Sequence, residues 1–366
     1  YSITVTPELP SDKFKIVTYT GNGSTQSITG IGFKPDFVWV KARDRAGEWH
    51  MLSDTTRGTN SQLFSNANNA QDTKSTVITS FDSGGFSIGS DNLVNFNGAD
   101  YVAWCWKANG GTTSSNTNGT ITSTVQANTD TGFSIVTYTG AGGVDTVGHG
   151  LSAQPELMFI KNRGRAVTGA AYATGINQTG YLFTAVGGSD GFSTARNDFM
   201  NNDTPPTSSL FTVRSYDGAG NDTQDYVGNY TGDTYVAYLF HSVENFSKFG
   251  SYTGNGSEQL VETGFEPAFV ITKSTSATGH WRMYDNKRGS TDSSSSYDGN
   301  RKVLYGDLNN AEGNGINEIR FLSNGFEVGP GNNTNTNGVS FIYMAFAADP
   351  DTTAPTLADS FSTVTY

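Results

Sequence analysis

Hydrophobic and polar positions alternate with a period of two along several short stretches, a pattern that predicts β-strands. In FVWVKAR, which begins at residue 37, Phe37 and Trp39 fall on one face and Val38 and Val40 on the other. The stretch YVAWCWKA at 101–108 alternates in the same way. Both faces of each stretch carry apolar groups, which favours strands in the middle of a sheet. Apolar positions with helical spacing are not sustained over a dozen residues anywhere, so helices are not expected.

The same succession of strand-like stretches occurs three times along the chain. Each copy opens with a tyrosine and a glycine-rich turn: YTGNG at 19–23, YTGAGG at 138–143 and YTGNG at 252–256. A proline follows at a strand entry, where its missing N–H costs no ladder bond; these prolines are Pro35, Pro155 and Pro267. Each copy closes with an aromatic strand: YVAWCWKA, YVAYLFHS and FIYMAFAA.

The distance along the chain from one copy to the next is typical of β-sandwich domains. The sequence therefore predicts an all-β chain of three tandem antiparallel β-sandwich, jelly-roll-like domains. The expected boundaries are 1–110 for repeat 1, 111–131 for a linker with the lead-in strand of repeat 2, 132–245 for the divergent repeat 2, 246–350 for repeat 3 and 351–366 for a C-terminal extension. Repeat 3 follows repeat 2 almost directly, which predicts closer coupling between these two than between repeats 1 and 2.

The composition and the net charge limit the kinds of binding partner that can be expected. The 44 glycines suit many turns, and the 12% of aromatic residues suit packed strands. A net charge of −12 argues against nucleic acid, because phosphate binding needs clustered Lys and Arg. No apolar run approaches 18 residues, so membrane insertion is not expected. The single Cys105 excludes an intramolecular disulfide and is interpreted as a small packed side chain.

The glycine-rich turn raises the question of a phosphate site. Such a site needs its glycines between a strand and a helix, with a Lys-Ser/Thr pair or a distal acid behind them. The residues after Gly23 are STQSITGIGF, which indicate another strand, and no GK[ST] occurs in the chain. A hairpin turn is favoured instead, since Asn-Gly supplies the positive φ angles of a two-residue loop.

Candidate catalytic and metal chemistry is sparse. The four histidines, at positions 50, 149, 241 and 280, are far apart and form no HxH or HExxH, so no transition-metal site and no cofactor are expected. Calcium is the one alternative, at SYDGAGNDTQDY (215–226), although that segment lacks the spacing of a calcium loop. Most carboxylates lie in polar turns and no GxSxG elbow occurs, so we expect no catalytic residues and no enzyme.

Repeats 1 and 3 share a middle block, EWHMLSDTTRG at 48–58 and HWRMYDNKRG at 280–289. In each block an Asp and an Arg three residues apart are expected to pair across a turn closed by glycine. The block could also be a binding surface, because aromatic side chains on β loops stack on sugar rings. The candidate ligand contacts are Trp49, Trp281 and Tyr284.

The repeat resembles one found in structural proteins of marine tailed bacteriophages, notably those infecting cyanobacteria. The strings that carry this resemblance are SYTGNGS, GFEPAFV, WRMYDNKRG, LNNAEG, FLSNGFEVG and YMAFAADP, together with NDTPPTSSLFTV in repeat 2. It covers residues 14–350 and implies a virion component in a tail fibre, tailspike or surface appendage. It carries no active-site residues to this chain.

We therefore expect a non-enzymatic virion structural protein that serves host-surface adhesion or particle assembly. Its expected partners are other virion subunits and a host-surface glycan or protein, and a homotrimer is the favoured assembly. Two alternatives stay open. One is a carbohydrate-binding module or glycan-degrading enzyme, which a pair of carboxylates in an aromatic groove would favour. The other is a secreted bacterial adhesin or filament subunit.

Overall fold

The chain was analysed as a computed structural model, which describes residues 9–174, 182–183, 204–215, 228–289, 302–315, 318–330 and 333–349. The protein is all-β and its sheets are antiparallel, as the alternating pattern predicts. Helical structure in this part of the chain is confined to a 3₁₀ turn, Pro10–Asp12, and one α-helical turn, α1 (Asn92–Asn95). Neither is long and apolar enough to cross a membrane.

The strands fall into three consecutive groups that follow the repeats. Repeat 1 contains β1 (Phe14–Thr20), β2 (Gln26–Ile28), β3 (Phe37–Ala42), β4 (Met51–Asp54), β5 (Ser61–Phe64), β6 (Asp72–Thr73), β7 (Ile78–Asp82), β8 (Gly85–Ile88) and β9 (Asp100–Trp106). Repeat 2 contains β10 (Ser114–Asn116), β11 (Ser123–Asn128), β12 (Phe133–Thr139), β13 (Val144–Gly148), β14 (Leu157–Asn162), β15 (Ala170–Ala173), β16 (Leu182–Phe183), β17 (Leu210–Arg214) and β18 (Thr234–Phe240). Repeat 3 contains β19 (Ser247–Thr253), β20 (Gln259–Glu262), β21 (Pro267–Ser274), β22 (Arg282–Asp285), β23 (Lys302–Tyr305), β24 (Gly313–Asn314), β25 (Ile319–Leu322), β26 (Gly325–Val328) and β27 (Ser340–Ala347).

Each repeat builds a large and a small sheet, with the same strand order in repeats 1 and 3 and a variant of it in repeat 2. The large sheets have the orders β1-β9-β3-β4-β5-β6, β10-β11-β12-β18-β14-β15-β16 and β19-β27-β21-β22-β23-β24. The small sheets have the orders β2-β8-β7, β13-β17 and β20-β26-β25. We call β1, β12 and β19 the opening strands, and β9, β18 and β27 the closing strands. Every closing strand lies between its opening strand and the strand that follows the repeat's proline.

A separate hydrophobic cluster fills the space between the large and the small sheet of each repeat. The closing strands contribute alternate residues to these clusters, as Tyr101, Ala103 and Cys105 do in repeat 1. Cys105 is fully buried, and burial raises the pKa of its thiol. It is the packed side chain that the sequence predicts.

The opposite faces of the three large sheets meet in a fourth cluster, the central cluster, to which all three repeats contribute. Its innermost members are Trp106, Phe240 and Phe346, which occupy equivalent positions on the three closing strands. Their ring centroids are 5.8–6.4 Å apart pairwise, with T-shaped geometry in all three pairs. The repeats are therefore arranged around a pseudo-threefold axis, and this is why the closing strands are apolar on both faces.

This arrangement changes the expected domain organisation. The segment predicted as a linker with the lead-in strand of repeat 2 contains two strands, β10 and β11, and both belong to the large sheet of repeat 2. Repeats 1 and 3, which are distant in sequence, also touch: Phe14 stacks on Phe346 at 4.7 Å, and Ser65 Oγ donates to the Gly306 carbonyl at 2.6 Å. The three sandwiches thus close into a ring. Closer coupling of repeats 2 and 3 than of repeats 1 and 2 stays a prediction.

The strand registers define two ends of the molecule. Thr20 lies opposite Asp100, whereas Phe14 lies opposite Trp106, and the other repeats follow the same pattern. The three glycine-rich turns and the loops 43–50, 163–169 and 275–281 therefore share one end, which we call the loop end. The connections between repeats lie at the other, the linker end. There Ser11 N donates to Asp349 Oδ1 at 2.8 Å, so both ends of the ring lie side by side.

Candidate functional site

The glycine-rich turn joins two sheets. Its opening strand belongs to the large sheet and the next strand to the small sheet, so the expected β-hairpin is wrong. Gly23 and Gly256 do adopt positive φ angles, each 73°. In repeat 1 the N–H groups of the turn are already used: Asn22 N donates to Asn95 Oδ1, Gly23 N to the Asn95 carbonyl and Ser24 N to Asn22 Oδ1. These backbone N–H groups are therefore not free to cradle a phosphate.

A buried asparagine clamps this turn in every repeat. Asn95, Asn229 and Asn335 are fully buried, and each side-chain oxygen accepts a backbone N–H of its turn at 2.7–3.0 Å. These asparagines were not predicted from the sequence. A signal was present, because each asparagine stands six residues before the aromatic residue that opens the closing strand, with a glycine between them at the third position.

The Asp–Arg pairs of the middle block form as predicted. Arg57 Nε lies 2.5 Å from Asp54 Oδ2, and Arg288 Nε lies 2.6 Å from Asp285 Oδ2, with all four side chains buried. Their role is in the contacts between repeats. Tyr238 of repeat 2 donates its hydroxyl to Asp54 at 2.7 Å, and its oxygen lies 3.0 Å from Arg57 Nη2.

Repeats 3 and 1 meet through the equivalent pair. Trp104 Nε1 donates to Asp285 Oδ2 at 3.0 Å, and the Arg288 guanidinium lies 5.4 Å from the Trp104 ring centre. By strand register, Trp104 is equivalent to Tyr238. Between repeats 2 and 3 the equivalent residues are Ala173 and Met344, both in the central cluster. At two of the contacts between repeats a buried acid thus accepts a hydrogen bond from the next repeat, and at the third the equivalent positions hold an alanine and a thioether.

The three expected ligand contacts have different surroundings. Trp281 is 5% exposed and belongs to the central cluster, and Tyr284 is fully buried with its hydroxyl 2.6 Å from Glu318 Oε2. Both are structural, which corrects the expectation that they contact a ligand. Trp49 is 37% exposed and packs on Phe64 at 4.8 Å.

Trp49 and Trp281 differ in exposure because they do not occupy equivalent positions in their repeats. Phe37 pairs with Asp54 and Phe269 pairs with Asp285, which makes the two aspartates equivalent. Counting back from them, Trp281 corresponds to His50, and Trp49 corresponds to His280. The shared Trp-x-Met spacing in the sequence is therefore one residue out of register.

Trp49 lies on a loop that a buried lysine holds in place. Lys41 Nζ donates to the carbonyls of Ala42 and Arg45 at 2.8 and 3.3 Å. Burial lowers the pKa of Lys41 to about 8, and that of the equivalent Lys161 to about 8. Lys161 Nζ donates to the Val167 carbonyl of its own loop at 3.2 Å. These bonds fix the loops at the loop end without using side chains that face solvent.

A second exposed aromatic residue lies at the loop end. Tyr230, 36% exposed, precedes the closing strand of repeat 2, and the Arg165 guanidinium lies 4.7 Å from its ring centre. Arg165 also pairs with Asp233 at 2.6 Å. Near Trp49, Arg45 pairs with Glu48 at 3.2 Å. The Tyr230 ring thus has an Arg–carboxylate pair beside it, which supplies an apolar face together with hydrogen-bond donors and acceptors. Trp49 lies on the same loop as the Arg45–Glu48 pair, whose guanidinium lies 3.7 Å from the Phe96 ring centre.

The carboxyl group with the most unusual setting is Asp36, at the linker end. It is fully buried, and burial raises its pKa. It accepts hydrogen bonds from Ala108 N at 2.7 Å, Gly110 N at 2.8 Å and Thr55 Oγ1 at 2.9 Å. This acid therefore holds the chain as it leaves repeat 1. A raised pKa alone would suggest a catalytic acid, but the side chain is fully buried and both of its oxygens already accept hydrogen bonds.

Metal ligands are not clustered among the described residues: no group of three or more His, Cys, Asp or Glu side chains could hold an ion there. The calcium candidate at 215–226 lies, except for Ser215, outside the described residues. The central cluster encloses a cavity of about 50 Å³, lined by Trp39, Phe159 and Ile271 at equivalent positions, among others. A space of this size is smaller than the engineered apolar cavities of about 150 Å³ that bind benzene.

The fold and these surfaces define a class: an all-β scaffold with three sandwiches around one core and exposed aromatic residues at its loop end. The chain belongs to the family described as a domain of unknown function, DUF7483, whose model matches residues 9–350. That match starts and ends with the ring of three repeats. The comparison with curated proteins gave no match.

Proposed function

We propose that this protein is a non-enzymatic structural and adhesive component of a phage particle, which presents its loop end to a host-surface glycan. The resemblance in sequence to phage structural proteins supports the virion assignment. The observation that carries the adhesive role is the placement of the exposed rings. Trp49 and Tyr230 lie at the loop end, whereas the ends of the ring, Ser11 and Asp349, are bonded together at the linker end.

Binding is favoured over turnover by the state of the buried carboxylates. Asp54 and Asp285 are paired with arginines, Glu318 is paired with Arg282 at 2.8 Å, and Asp36 is engaged by backbone N–H groups. A glycosidase needs two carboxyl groups that both face the scissile bond. Among the described residues these four instead stabilise contacts within and between repeats, which supports a display function.

The proposed ligand is a glycan because of the chemistry around the two rings. An exposed aromatic face packs against the C–H face of a sugar, and the adjacent Arg–carboxylate pair bonds its hydroxyl groups. Tyr230 with Arg165 and Asp233 forms such a group, and Trp49 lies on the loop that carries the Arg45–Glu48 pair. Both rings are partly exposed, so their removal leaves the core intact.

The test is binding to host cells and to their purified surface polysaccharide. Trp49→Ala and Tyr230→Ala are each expected to weaken binding at least tenfold without changing the unfolding midpoint. Leu260→Ala is the matched control, because Leu260 is 45% exposed but lies on the small sheet of repeat 3. Unchanged binding by both aromatic variants would contradict the glycan site. Release of sugar fragments would favour the alternative of a glycan-degrading enzyme.

The location and assembly are tested separately. Mass spectrometry of purified particles should detect the protein, and its absence from particles would favour a secreted adhesin. The expected homotrimer stays a prediction. A single chain already arranges three sandwiches around a pseudo-threefold axis, so we propose that the ring acts as one unit and that any higher assembly forms through its ends. Light scattering of the intact chain distinguishes a monomer from a trimer.

A further inference from the structure

Repeat 2 has a segment that lies along both of its sheets, residues 117–128, which we call the lead-in segment. Its strand β11 pairs with the opening strand β12 in the large sheet. The residues before β11 follow β13 of the small sheet, where Ile121 N donates to the Thr146 carbonyl at 3.0 Å. Ile121 and Val125 are buried in the hydrophobic cluster of repeat 2. The lead-in segment therefore closes this sandwich along one side.

In repeat 3 the chain reaches its opening strand by another route. Residues 241–246 are described, and they turn directly from β18 into β19. Val243 and Ser247 exchange both backbone hydrogen bonds, at 3.1 and 2.9 Å, and Phe249 N donates to Ser242 Oγ at 3.1 Å. This short turn covers only the beginning of β19, so nothing in it corresponds to the lead-in segment.

The outer edge of β19 is unpaired beyond Phe249. In the described residues β27 is the only strand beside β19. The N–H groups of Ser247 and Phe249 face away from β27, toward the turn that precedes them. Groups two residues apart in a strand point the same way, so the N–H groups of Ser251 and Thr253 also face outward. Both residues are exposed, and an edge of this kind can take an added strand.

The neighbouring strand β20 carries an exposed apolar side chain at the edge of the small sheet. This is Leu260, which is 45% exposed. By strand register, Leu260 is equivalent to Thr146. In repeat 2 the lead-in segment lies on that position, where Thr120 N donates to Thr146 Oγ1 at 3.0 Å. The exposed carboxylates of Glu258 and Glu262 stand two residues before and after Leu260.

We propose that β19 and β20 of repeat 3 bind an extended segment of another protein chain, in the position that the lead-in segment occupies in repeat 2. The bound segment adds a strand to the outer edge of β19. It places a branched apolar side chain beside Val261, as Ile121 lies beside Val147. Glu258 and Glu262 favour lysine or arginine on either side of that residue, because rim charges select complementary partners.

This surface is distinct from the one proposed to bind glycan. It belongs to repeat 3, whereas the exposed rings of Trp49 and Tyr230 belong to repeats 1 and 2. The inference therefore does not depend on what the loop end binds. Substitutions at Leu260 are expected to leave glycan binding unchanged.

The probe is a synthetic peptide with the sequence of the lead-in segment, carrying Asn118→Lys and Thr122→Lys. In the register of the lead-in segment in repeat 2, these positions correspond to Glu258 and Glu262. Fluorescence anisotropy with the whole chain should show saturable binding, about threefold tighter at low salt than that of the unsubstituted peptide. This difference should disappear at high salt. Absence of binding by both peptides would overturn the proposal, and equal binding at low salt would overturn the role of the two carboxylates.

Two variants locate the peptide on repeat 3. Ser251→Pro removes an outward N–H, which an edge strand tolerates, and Leu260→Asp replaces the exposed apolar side chain by a charge. Each is expected to weaken peptide binding about tenfold, whereas Ser251→Ala should bind like the parent. The urea midpoint reports whether Ser251→Pro folds, and if it does not, Leu260→Asp decides. Unchanged binding by the folded variants would show that the peptide binds elsewhere, against the proposal.

Hydrogen exchange tests whether the edge is open before the partner arrives. The amides of Ser251 and Thr253 should exchange rapidly in the protein alone and become protected when the peptide is bound. If both amides are already protected in the protein alone, another segment of the same chain covers β19. That outcome would overturn the assignment of the edge to a separate chain.

Discussion

At the residue scale, the three repeats serve as an internal comparison of one site. Asp54 and Asp285 each accept a hydrogen bond from the next repeat, from Tyr238 and Trp104 respectively. In repeat 2 the position of the acid holds Ala173, and in repeat 3 the position of the donor holds Met344, which has no donor to satisfy. A buried carboxylate or donor without a partner costs about 1–3 kcal/mol or more. The residue types at these positions have therefore changed together.

Gly306 offers a residue-scale test of packing in the central cluster. Its φ is not positive, and an added Cβ would meet Met283 Sδ at 3.4 Å and Trp39 at 3.5 Å, which is ordinary van der Waals contact. Gly306 also lines the central cavity. Gly306→Ala is therefore expected to raise the free energy of unfolding by about 0.4–1 kcal/mol, because alanine restricts the unfolded chain and fills space.

Urea denaturation of the Gly306→Ala variant measures this change. Gly254→Ala is the control, since its Cβ would lie 2.4 Å from the Thr336 carbonyl oxygen and force the backbone apart. The control is expected to destabilise. A loss of stability in both variants would show that the cavity beside Gly306 does not accept a methyl group.

At the scale of elements, the opening strand depends on the asparagine clamp at its end. Asn95 Oδ1 accepts Asn22 N at 2.7 Å, and its Nδ2 donates to the Gly89 carbonyl at 2.8 Å. Asn95→Ala removes both bonds and leaves buried backbone groups unpaired. We expect a loss of about 1–3 kcal/mol in the free energy of unfolding. Asn97→Ala, at an exposed position in the same segment, is the control and is expected to change it by under about 0.5 kcal/mol.

Hydrogen exchange locates that effect. If Asn95 clamps the turn, exchange should accelerate at Asn22 and Gly23 more than in the distant strands of repeat 3. Uniform acceleration throughout the chain would instead assign Asn95 a role in the general stability of the sandwich. The two outcomes distinguish a clamp from a packing residue.

The strands could be predicted from the sequence because their alternating pattern is local. The contacts between residues far apart in the sequence could not be predicted in this way. The alternating side chains around Val38 and the prolines at strand entries predicted the strands. The turn at Gly23 was expected to be a hairpin, because its positive φ does not reveal which sheet the next strand joins. The central cluster was not predicted for a related reason. Trp104 and Trp106 face it, but a strand that is apolar on both faces does not reveal whether the same domain or another repeat covers its second face. Trp281 was misplaced because a one-residue shift preserves the Trp-x-Met spacing.

At the scale of the whole molecule, the buried donors specify the order of the repeats around the axis. In the observed order, Asp54 meets Tyr238, Asp285 meets Trp104 and Ala173 corresponds to Met344. In the reverse order, Asp54 would face Met344, and Trp104 would face Ala173. That order leaves the buried Trp104 N–H without its acceptor and Asp54 with only the partners of its own repeat, whereas the observed order gives each a partner across the contact. The ring thus excludes the alternative arrangement through two positions.

The ring should lose stability in mild acid because two histidines are buried in neutral form. Burial, followed by the charges of Lys41 and Arg288, lowers the pKa of His50 well below 6.5, and burial lowers that of His149 to about 4. The unfolded chain therefore binds more protons below pH 6.5, so stability is fully present above that pH and falls as the pH decreases. The loss from His149 alone is about 3 kcal/mol by pH 4.

Glutamine variants separate the contributions of His50 and His149 to the pH dependence of stability from the contributions of the carboxylates. His50 Nδ1 accepts a hydrogen bond from Trp39 Nε1 at 2.8 Å, and the Gln side-chain oxygen offers an equivalent acceptor. His50→Gln and His149→Gln should therefore flatten the dependence of the free energy of unfolding on pH between 6.5 and 4. Parallel curves for parent and variants would mean that these histidines are not buried in neutral form.

The central cluster should make the three repeats unfold as one unit. Trp106 of repeat 1 contacts Phe240 of repeat 2 and Phe346 of repeat 3, so a change at Trp106 acts on all three sandwiches. Trp106→Ala is expected to cost about 3–5 kcal/mol, the usual range for removing a buried aromatic side chain. In independent tandem domains that loss would stay in repeat 1. In the ring the Trp106→Ala substitution should reduce the protection of backbone amides equally in all three closing strands. Hydrogen exchange measured for each strand separately would show this. Unchanged protection of β27 would mean that repeat 3 is stable without its neighbours, and that the shared core joins the repeats without making them depend on one another.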